Sequence, residues 1–377
     1  MTLGVGIIGC GTISGIYMQN LGRFPRLRLV ACADIREETA QAAAAQHGAS
    51  ARTVDALLAS PDIDIVVNLT VPAAHYAVSR AALAAGKHVF SEKPLSAGSD
   101  DGRALVAEAE RRGLRLGCAP DTFLGAGGTL ARELIDAGKI GRVLSGTCFL
   151  MSHGMEHWHP DPEFFFKPGG GPVLDMAPYY LATLVNLIGP VASVQAYTSA
   201  GFAERTVTAD GPRKGGVIKV DTPTTAMALV RFATGADIVF TMSWDVWKHG
   251  HPLLELYGTE GSLRVPDPNF YGGKVEYTRN GGDWIGIDTS DRPFGTPNWP
   301  SDARDRANYR CLGVAELAEV ITRGGPHRSS AAFASHVLDA MHAILRAGEL
   351  GTAVKVQSRV ERPAAFTDRD AAALTAA

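Results

Sequence analysis

Two side chains that could handle a proton lie four residues apart in the middle of the chain. Asp175 and Tyr179 fall in residues 175–188, whose pattern predicts a helix, so we expect them to project from one face, a turn apart. A phenol with its ordinary pKa of about 10 is a poor base at neutral pH. An adjacent ammonium, such as that of Lys93, would stabilise the phenolate. These residue types could together take the proton of a substrate hydroxyl.

A glycine-rich turn near the N-terminus could hold phosphates. Gly9-Cys10-Gly11-Thr12-Ile13-Ser14 joins a predicted strand, Leu3–Ile8, to a predicted helix over residues 13–24. Gly9 permits the tight turn, Gly11 lets the backbone approach a pyrophosphate, and the helix N-terminus offers unpaired N–H groups. Ser14 stands where a third glycine is usual, and a small side chain still fits. We predict cofactor contacts from Gly9, Gly11, Thr12 and Ile13.

A carboxylate follows the next predicted strand, residues 27–33. Asp34 could accept hydrogen bonds from both adenosine ribose hydroxyls and would repel a 2′-phosphate. Arg36 weakens that preference, because an arginine can pair with a 2′-phosphate. We therefore predict that Asp34, Ile35 and Arg36 bind NAD in preference to NADP. The alternative is a structural glycine turn followed by a surface aspartate.

The first third of the chain alternates strand and helix patterns. Short apolar runs at residues 3–8, 27–33, 63–69, 88–90 and 114–118 are typical of buried parallel strands. Helical patterns lie between them, at residues 13–24, 37–47, 73–85 and 101–112. Repeated βαβ units predict a Rossmann domain, an α/β doubly wound parallel sheet, over residues 1–121.

After residue 121 the strand patterns become closely spaced, which predicts an α+β domain over residues 122–360. Helices are expected at 128–137, 175–188, 307–322 and 330–346, and a long loop at 280–304. Strands are expected at 191–198, 225–233, 237–243, 253–257, 262–265 and 274–278. This spacing predicts a large, mostly antiparallel sheet with one open face, through which we expect a homodimer or homotetramer. Residues 361–377 are predicted to form a flexible tail.

Composition narrows the classes of partner. The 377 residues carry a formal net charge of −3, which gives no electrostatic reason to expect nucleic acid or an anionic membrane as a partner. No apolar run reaches the roughly 18 residues of a membrane span, and the N-terminus lacks a signal-peptide pattern. The five cysteines are scattered without CxxC spacing, so we expect reduced, buried thiols and a cytoplasmic location.

Two longer segments carry a family resemblance. One runs from Asn68-Leu69-Thr70-Val71-Pro72-Ala73-Ala74-His75 to Ser91-Glu92-Lys93-Pro94, and the other is Gly169-Gly170-Gly171-Pro172-Val173-Leu174-Asp175-Met176-Ala177-Pro178-Tyr179. Together with the glycine loop they resemble the Gfo/Idh/MocA oxidoreductases, which include glucose–fructose oxidoreductase, inositol dehydrogenase and dihydrodiol dehydrogenases. The resemblance covers residues 3–350.

The resemblance implies roles for individual residues. Leu69, Thr70, Pro72, His75 and Glu92 would lie beside the cofactor, and Lys93 would lie near both the nicotinamide and the reacting hydroxyl. Asp175 and Tyr179 match an Asp-x-x-x-His/Tyr motif whose last residue is the usual acid/base. We therefore predict Tyr179 as acid/base, Lys93 as its electrostatic partner and proton relay, and Asp175 as the group that orients the substrate hydroxyl. In an alternative, Lys93 itself is the base and Tyr179 is only a positioning group.

Residues 151–160 contain three histidines and a glutamate, which raises the question of a metal. Gly154 and Pro160 indicate an irregular loop, and no fixed ligand spacing is present, so we predict no metal. A sugar-binding loop fits better, with Trp158 packed on the ring and His153 or His159 bonded to its hydroxyls. Asp121, at the end of the last Rossmann strand, is a predicted specificity determinant for the substrate.

These features predict NAD-dependent oxidation of a secondary hydroxyl on a sugar, a sugar derivative or a cyclitol. One alternative is a glycosidase of the same family, in which held NAD transiently oxidises the sugar so that elimination cleaves a glycoside. Another is a non-catalytic sensor that binds the dinucleotide. Trp244, Asp245 and Trp247 follow the strand at 237–243, where exposed aromatics are as often oligomer contacts as ligand contacts.

Overall fold

Six parallel strands form the N-terminal sheet of the computed structural model, which describes residues 1–298 and 306–376. In chain order the strands are β1 (Leu3–Ile8), β2 (Leu27–Ala33), β3 (Ser50–Ala51), β4 (Ile65–Asn68), β5 (His88–Ser91) and β6 (Leu116–Cys118). The helices between them are α1 (Ser14–Leu21), α2 (Glu37–His47), α3 (Val54–Ala59), α4 (His75–Ala84) and α5 (Ser99–Arg112). The sheet order is β3-β2-β1-β4-β5-β6. This is the doubly wound order, in which successive strands are added toward one edge from β1 to β3 and toward the other edge from β4 to β6.

Continuous apolar runs explain the central strands. β1 and β4 are buried at every position, as strands with helices on both faces are. The predicted strands over 63–69 and 114–118 are shorter in the structure, and β3 and α3 were not predicted. β3 has only two residues, both exposed, so it carries no apolar pattern.

The second domain is built on a nine-stranded sheet. Its strands are β7 (Val143–Met151), β8 (Val191–Ser199), β11 (Thr225–Phe232), β12 (Asp237–Ser243), β13 (Leu254–Gly258), β14 (Gly261–Val265), β15 (Val275–Arg279), β16 (Ile285–Ile287) and β17 (Val354–Lys355). β9 (Glu204–Thr206) and β10 (Val217–Lys219) form a separate antiparallel pair. The helices are α6 (Ala126–Asp136), α7 (Gly171–Asp175), α8 (Ala177–Ile188), α9 (Leu312–Arg323), α10 (Ala331–Leu350) and α11 (Asp368–Thr375). The order is β16-β15-β14-β13-β7-β12-β11-β8-β17, antiparallel except between β7 and β12.

One face of this large sheet is open. Along β11, Ala226, Ala228 and Val230 are buried, whereas Met227 and Leu229 are 58% and 54% exposed. The buried face packs under α10, which also contacts α5 and β6 and so joins the two domains. The predicted open-faced sheet is confirmed.

The C-terminal segment departs from prediction. Phe366 is buried, α11 begins at a capping box formed by Thr367 and Asp370, and Arg328 Nη2 lies 2.9 Å from Asp370 Oδ2. The expected flexible tail is therefore wrong for residues 361–376, because its few apolar side chains are buried against the domain. Within the predicted loop at 280–304, β16 is a short strand, and residues 299–304 lie outside the described residues.

All five cysteines lie in the described ranges, where each is buried with a free thiol, as predicted. Within those same ranges, no helix combines the length and the apolar character needed to span a membrane.

Candidate active site

The glycine turn, the end of β2 and the end of β4 meet at one edge of the parallel sheet. Gly9 has φ +100°, and a Cβ placed there would lie 2.6 Å from the Leu69 carbonyl, so only glycine fits between the two turns. Asp34 Oδ2 accepts a hydrogen bond from the Cys10 N–H at 2.8 Å, and its Oδ1 accepts one from the Arg36 N–H at 2.9 Å. The predicted ribose carboxylate is thus held beside the glycine turn.

The surface above this turn fits a dinucleotide. A Cβ at Gly11 would meet no atom of residues 1–298 or 306–376 within 4 Å, so the backbone borders open space where a pyrophosphate could approach. Among the described residues no side chain caps α1, which begins directly after the exposed Thr12 and the half-buried Ile13. The Ser14 N–H donates to the Gly11 oxygen at 3.0 Å, so the N–H groups that follow it are the ones that can donate to an anion. Ile35 is 99% exposed, an apolar surface suited to a flat base. Arg36 extends into solvent, its Nε 3.9 Å from Asp34 Oδ1.

Two other residues predicted to contact the cofactor are buried and make their hydrogen bonds within the protein. His75 is buried, with Nδ1 2.6 Å from the Pro94 carbonyl oxygen and Nε2 2.9 Å from that of Thr70. It ties the loop after β4 to the loop after β5, so the prediction that it contacts the cofactor is wrong. Glu92 is also buried and accepts hydrogen bonds from the Tyr17 hydroxyl and from the Lys93 N–H, both at 2.8 Å.

The rest of the loop after β4 is more open. Pro72 begins a single turn of 3-10 helix and is half-buried, while the preceding Val71 is 67% exposed. The Thr70 hydroxyl donates to Asn68 Oδ1 at 2.7 Å. This loop therefore borders the glycine turn, the position that the predicted cofactor contacts require.

Lys93 joins the two domains at the proposed reaction centre. Its Nζ donates to the Asp175 main-chain oxygen at 2.6 Å and to Asp175 Oδ1 at 2.8 Å, and it lies 5.1 Å from the centroid of the Tyr179 ring. Burial opposes the charge on Lys93, but Asp175, Tyr179 and Glu92 outweigh it and raise the pKa of Lys93. Lys93 is therefore an ammonium at neutral pH.

Asp175 and Tyr179 do not share one helix. Asp175 is the last residue of α7 and Tyr179 the third of α8, with Met176 between the two helices. Pro178 explains the break, because its ring clashes with the carbonyl four residues earlier and it lacks an N–H donor. The predicted single helix over residues 175–188 is therefore wrong, yet both residues still lie beside Lys93.

Arg310 is a residue of the site that no sequence pattern marked. Its guanidinium is buried, with Nη2 3.3 Å from the Tyr179 hydroxyl and 2.8 Å from Asn269 Oδ1, and Nη1 3.0 Å from Asn308 Oδ1. Burial lowers the pKa of Arg310, but the electrostatic effects of Tyr179, Tyr271 and Glu92 are together larger and raise it. Tyr179 is thus flanked by two cations.

Asp121 does not face a substrate space. It is 1% exposed, accepts a hydrogen bond from the Gly313 N–H at 2.6 Å, and accepts another from the Tyr271 hydroxyl. Burial raises the pKa of Asp121 to about 6, against the opposing effect of those hydrogen bonds. The predicted substrate contact is wrong, because both carboxylate oxygens are used in joining the two domains.

The histidine loop lies apart from this centre. His153 stacks on Trp247, His159 packs edge-on to Phe165 with 5.2 Å between ring centroids, and Trp158 is 57% exposed. His153 lines a cavity whose wall includes neither Lys93 nor the other two predicted catalytic residues, and Trp158 and His159 do not line it. In residues 1–298 and 306–376, no three His, Cys, Asp or Glu side chains are grouped as a metal site requires.

Comparison with known proteins gives two family matches along the chain. Residues 3–119 match an oxidoreductase family with an NAD-binding Rossmann fold, and residues 129–264 match the GFO/IDH/MocA C-terminal domain. A 1,5-anhydro-D-fructose reductase of Ensifer adhaerens is 30% identical over 267 residues, which are 68% of this chain and 74% of the relative. A dTDP-3,4-didehydro-2,6-dideoxy-alpha-D-glucose 3-reductase of Streptomyces violaceoruber is 30% identical over 330 residues, 86% of each chain.

The fold is also similar to that of a solved structure. Levoglucosan dehydrogenase in complex with NADH superimposes with a TM-score of 0.80 at 22% identity, covering 96% of this chain and 100% of that one. The predicted Rossmann domain, followed by a mostly antiparallel sheet domain, is confirmed, as are an NAD cofactor and a dehydrogenase or reductase activity. The chain belongs to the Gfo/Idh/MocA family of NAD-binding oxidoreductases.

Proposed function

We propose that this enzyme reversibly oxidises a secondary hydroxyl of a sugar, a sugar derivative or a cyclitol, with NAD as hydride acceptor. The observation that carries the proposal is the position of Tyr179 between the Lys93 ammonium and the Arg310 guanidinium. The named activities of the two relatives above, both reductases of sugar derivatives, support this substrate class.

Tyr179 is the proposed acid/base. Lys93 Nζ lies 5.1 Å from its ring centroid and Arg310 Nη2 lies 3.3 Å from its hydroxyl, so two cations lie beside the group that would carry negative charge when it gives up its proton. The site is buried, where a charge pair is worth more than in water. The phenolate oxygen then accepts the proton of the substrate hydroxyl and returns it in the reverse direction, while bound NAD supplies the hydride acceptor.

Lys93 is the proposed positioning and relay group, with Asp175 holding it. An ammonium has three N–H donors, and two of those on Lys93 are directed at Asp175, which leaves one for the substrate oxygen. The raised pKa of Lys93 argues against the alternative in which Lys93 itself is the base, because a base must be unprotonated before it acts.

A panel of sugars, polyols and glycosides, followed by NADH absorbance with NAD and with NADP, tests the proposal. Tyr179→Phe should lower kcat by about 10²- to 10⁴-fold with little change in KM, since it removes a proton-transfer group and not a binding surface. Tyr180→Phe is the matched control: the neighbouring phenol is fully buried and lies 3.4 Å from Asp267.

Other results of the same panel would favour the two alternatives. Glycoside cleavage without net NAD reduction would indicate the glycosidase. NAD binding without turnover of any compound, together with full biological activity of Lys93→Ala, would indicate a sensor.

We further propose that a second copy of the chain covers the open sheet face. Tyr197, Met227, Leu229 and Val239 are 75%, 58%, 54% and 42% exposed on it, a continuous apolar surface of the kind that marks interfaces. Leu229→Arg should dissociate the assembly in sedimentation velocity. Val217→Arg is a matched control, because Val217 is 59% exposed but lies on β10, outside the large sheet.

A further inference from the structure

Helix α1, which begins directly after the glycine turn, carries two buried polar side chains. Tyr17 and Asn20 are each 0% exposed, and residues three apart are neighbours on one face of a helix. Asparagine is a poor residue for a helix interior, and a buried amide without partners costs about 1–3 kcal/mol. An asparagine at this position is therefore tolerated only where its polar atoms are bonded.

The donors of Asn20 reach the segment that carries Arg310. Asn20 Nδ2 donates to the main-chain oxygens of Asn308 and of Arg310, each at 3.0 Å. Its Oδ1 accepts a hydrogen bond from Arg23 Nε at 3.0 Å. An amide nitrogen has two N–H groups, so both donors of Asn20 are used on carbonyls 288 and 290 residues away in the sequence.

The segment that Asn20 holds is irregular. Residues 306–309 lie in neither a helix nor a strand, and α9 begins only at Leu312. Between them, Cys311 has φ +98°, a left-handed conformation that is uncommon for a residue other than glycine. Because the segment belongs to no regular element, side-chain hydrogen bonds such as those of Asn20 decide where its main chain lies.

The position of the Arg310 guanidinium follows from this segment. Nη1 lies 3.0 Å from Asn308 Oδ1, and Nη2 lies 3.3 Å from the Tyr179 hydroxyl. Asn20 is bonded to the main chain of both Asn308 and Arg310, so it fixes the backbone of the cation and that of the side chain beside it. The attraction between the guanidinium and a phenolate weakens as they separate, so a shift of this segment would weaken it.

The same helix also reaches the other cation beside Tyr179. The Tyr17 hydroxyl donates to Glu92 Oε1 at 2.8 Å, and Glu92 Oε2 accepts the Lys93 N–H at 2.8 Å. Helix α1 is thus tied to the Lys93 main chain through Glu92, and to the Arg310 main chain directly through Asn20. One helix therefore joins the glycine turn to both cations.

We propose that Asn20 is a positioning residue for Arg310, a role that rests on the proposed acid/base function of Tyr179. Its two N–H donors fix the main chain of residues 308–310, so that the guanidinium stays at the Tyr179 hydroxyl. Asn20 is 0% exposed, so it acts through Arg310 and touches neither substrate nor NAD.

Crystal structures and steady-state kinetics of Asn20→Leu and Arg310→Met, alone and combined, test this role. Leucine has the same branched shape as asparagine but no donor, so the Arg310 guanidinium should move away from the Tyr179 hydroxyl. With a sugar or polyol that the wild type oxidises, kcat should fall by up to about 100-fold, as for a catalytic group displaced by about 1 Å. The rate–pH profile should move toward alkaline pH, while NAD affinity in fluorescence titration stays unchanged.

The combined variant and a matched control separate positioning from stability. Once Arg310→Met has removed the cation, adding Asn20→Leu should change kcat by less than about twofold, because the group that Asn20 positions is gone. Asn186 is also a buried asparagine on a helix, with Oδ1 3.2 Å from Arg132 Nη1. Asn186→Leu should lower the unfolding temperature but keep the wild-type pH profile.

An unmoved guanidinium in Asn20→Leu, or an equal loss of kcat with and without Arg310, would overturn the proposal. So would a lowered kcat with the wild-type pH profile, which would leave Asn20 a purely structural residue. A loss of NAD affinity as the main change would assign Asn20 to the cofactor turn instead.

Asn20→Ser, which keeps one donor, takes the place of Asn20→Leu in every measurement if the leucine variant does not fold. Wild-type kcat in Tyr179→Phe would refute the acid/base function. The crystal structures and the comparison of single and combined variants would still decide whether Asn20 positions Arg310, so the two proposals can fail separately.

Discussion

Replacing Arg310 with methionine should slow proton transfer while leaving NAD binding intact. Arg310 Nη2 lies 3.3 Å from the Tyr179 hydroxyl, in a buried setting. Two unit charges at that distance, with an effective dielectric constant of about 20, attract by about 5 kcal/mol, which is an upper bound on the support that the guanidinium gives the phenolate. Because Lys93 remains, we expect kcat at neutral pH to fall by about 10- to 1,000-fold.

The rate–pH profile is the decisive measurement. Losing one of the two cations should move the profile for alcohol oxidation toward alkaline pH, because the guanidinium 3.3 Å from the Tyr179 hydroxyl no longer favours its deprotonated form. NAD affinity, measured by fluorescence titration, should be unchanged. Arg310→Lys is the matched control, since it keeps a cation without the planar fork and should retain most of the wild-type profile.

Arg310 also holds Asn269 and Asn308, so thermal unfolding of both variants must accompany the kinetics. A methionine variant with lowered stability but the wild-type pH profile would refute the electrostatic reasoning and leave Arg310 a purely structural residue.

Four further substitutions separate cofactor binding from stability. Asp34→Asn should raise KM for NAD by about tenfold and reduce the preference over NADP, since the ribose acceptor loses its charge; an unchanged NAD/NADP ratio in steady-state assays would contradict this. Gly9→Ala should lower the unfolding temperature, because its Cβ would lie 2.6 Å from the Leu69 backbone, whereas Gly11→Ala, with open space around it, should unfold like the wild type but bind NAD weakly; calorimetry with and without NAD distinguishes them. Burial raises the pKa of Asp121 from 3.8 to about 6, so the folded state holds a proton that the unfolded chain releases. Stability from this group is full below pH 3.8 and falls as pH rises through about 6, by about 3 kcal/mol at most. Asp121→Asn should flatten that decline in urea unfolding, and an unaltered slope would show that another group causes it.

Local sequence determined the framework of the cofactor site. The positive φ at Gly9 and the carboxylate of Asp34 lie within single strand-to-helix connections, so the pattern of a few neighbouring residues was enough to predict them. The open sheet face was readable for the same reason, because the alternation along β11 has a period of two residues. The break before Tyr179 was also readable in principle, since Pro178 stands inside the stretch predicted as helix.

Only the tertiary structure decided which side chains are free to act. Asp121 and His75 have side chains of the kinds found in active sites, but both are buried and their polar atoms are hydrogen-bonded within the protein. Neither property is encoded in the residues next to them in sequence. Arg310 reaches Tyr179 across 131 residues of chain, and Trp247 meets His153 through the pairing of β7 with β12. Contacts of this range depend on how whole elements pack. Local sequence was therefore enough to predict the glycine turn and the carboxylate beside it, whereas the packing of the two domains decided what surrounds Tyr179.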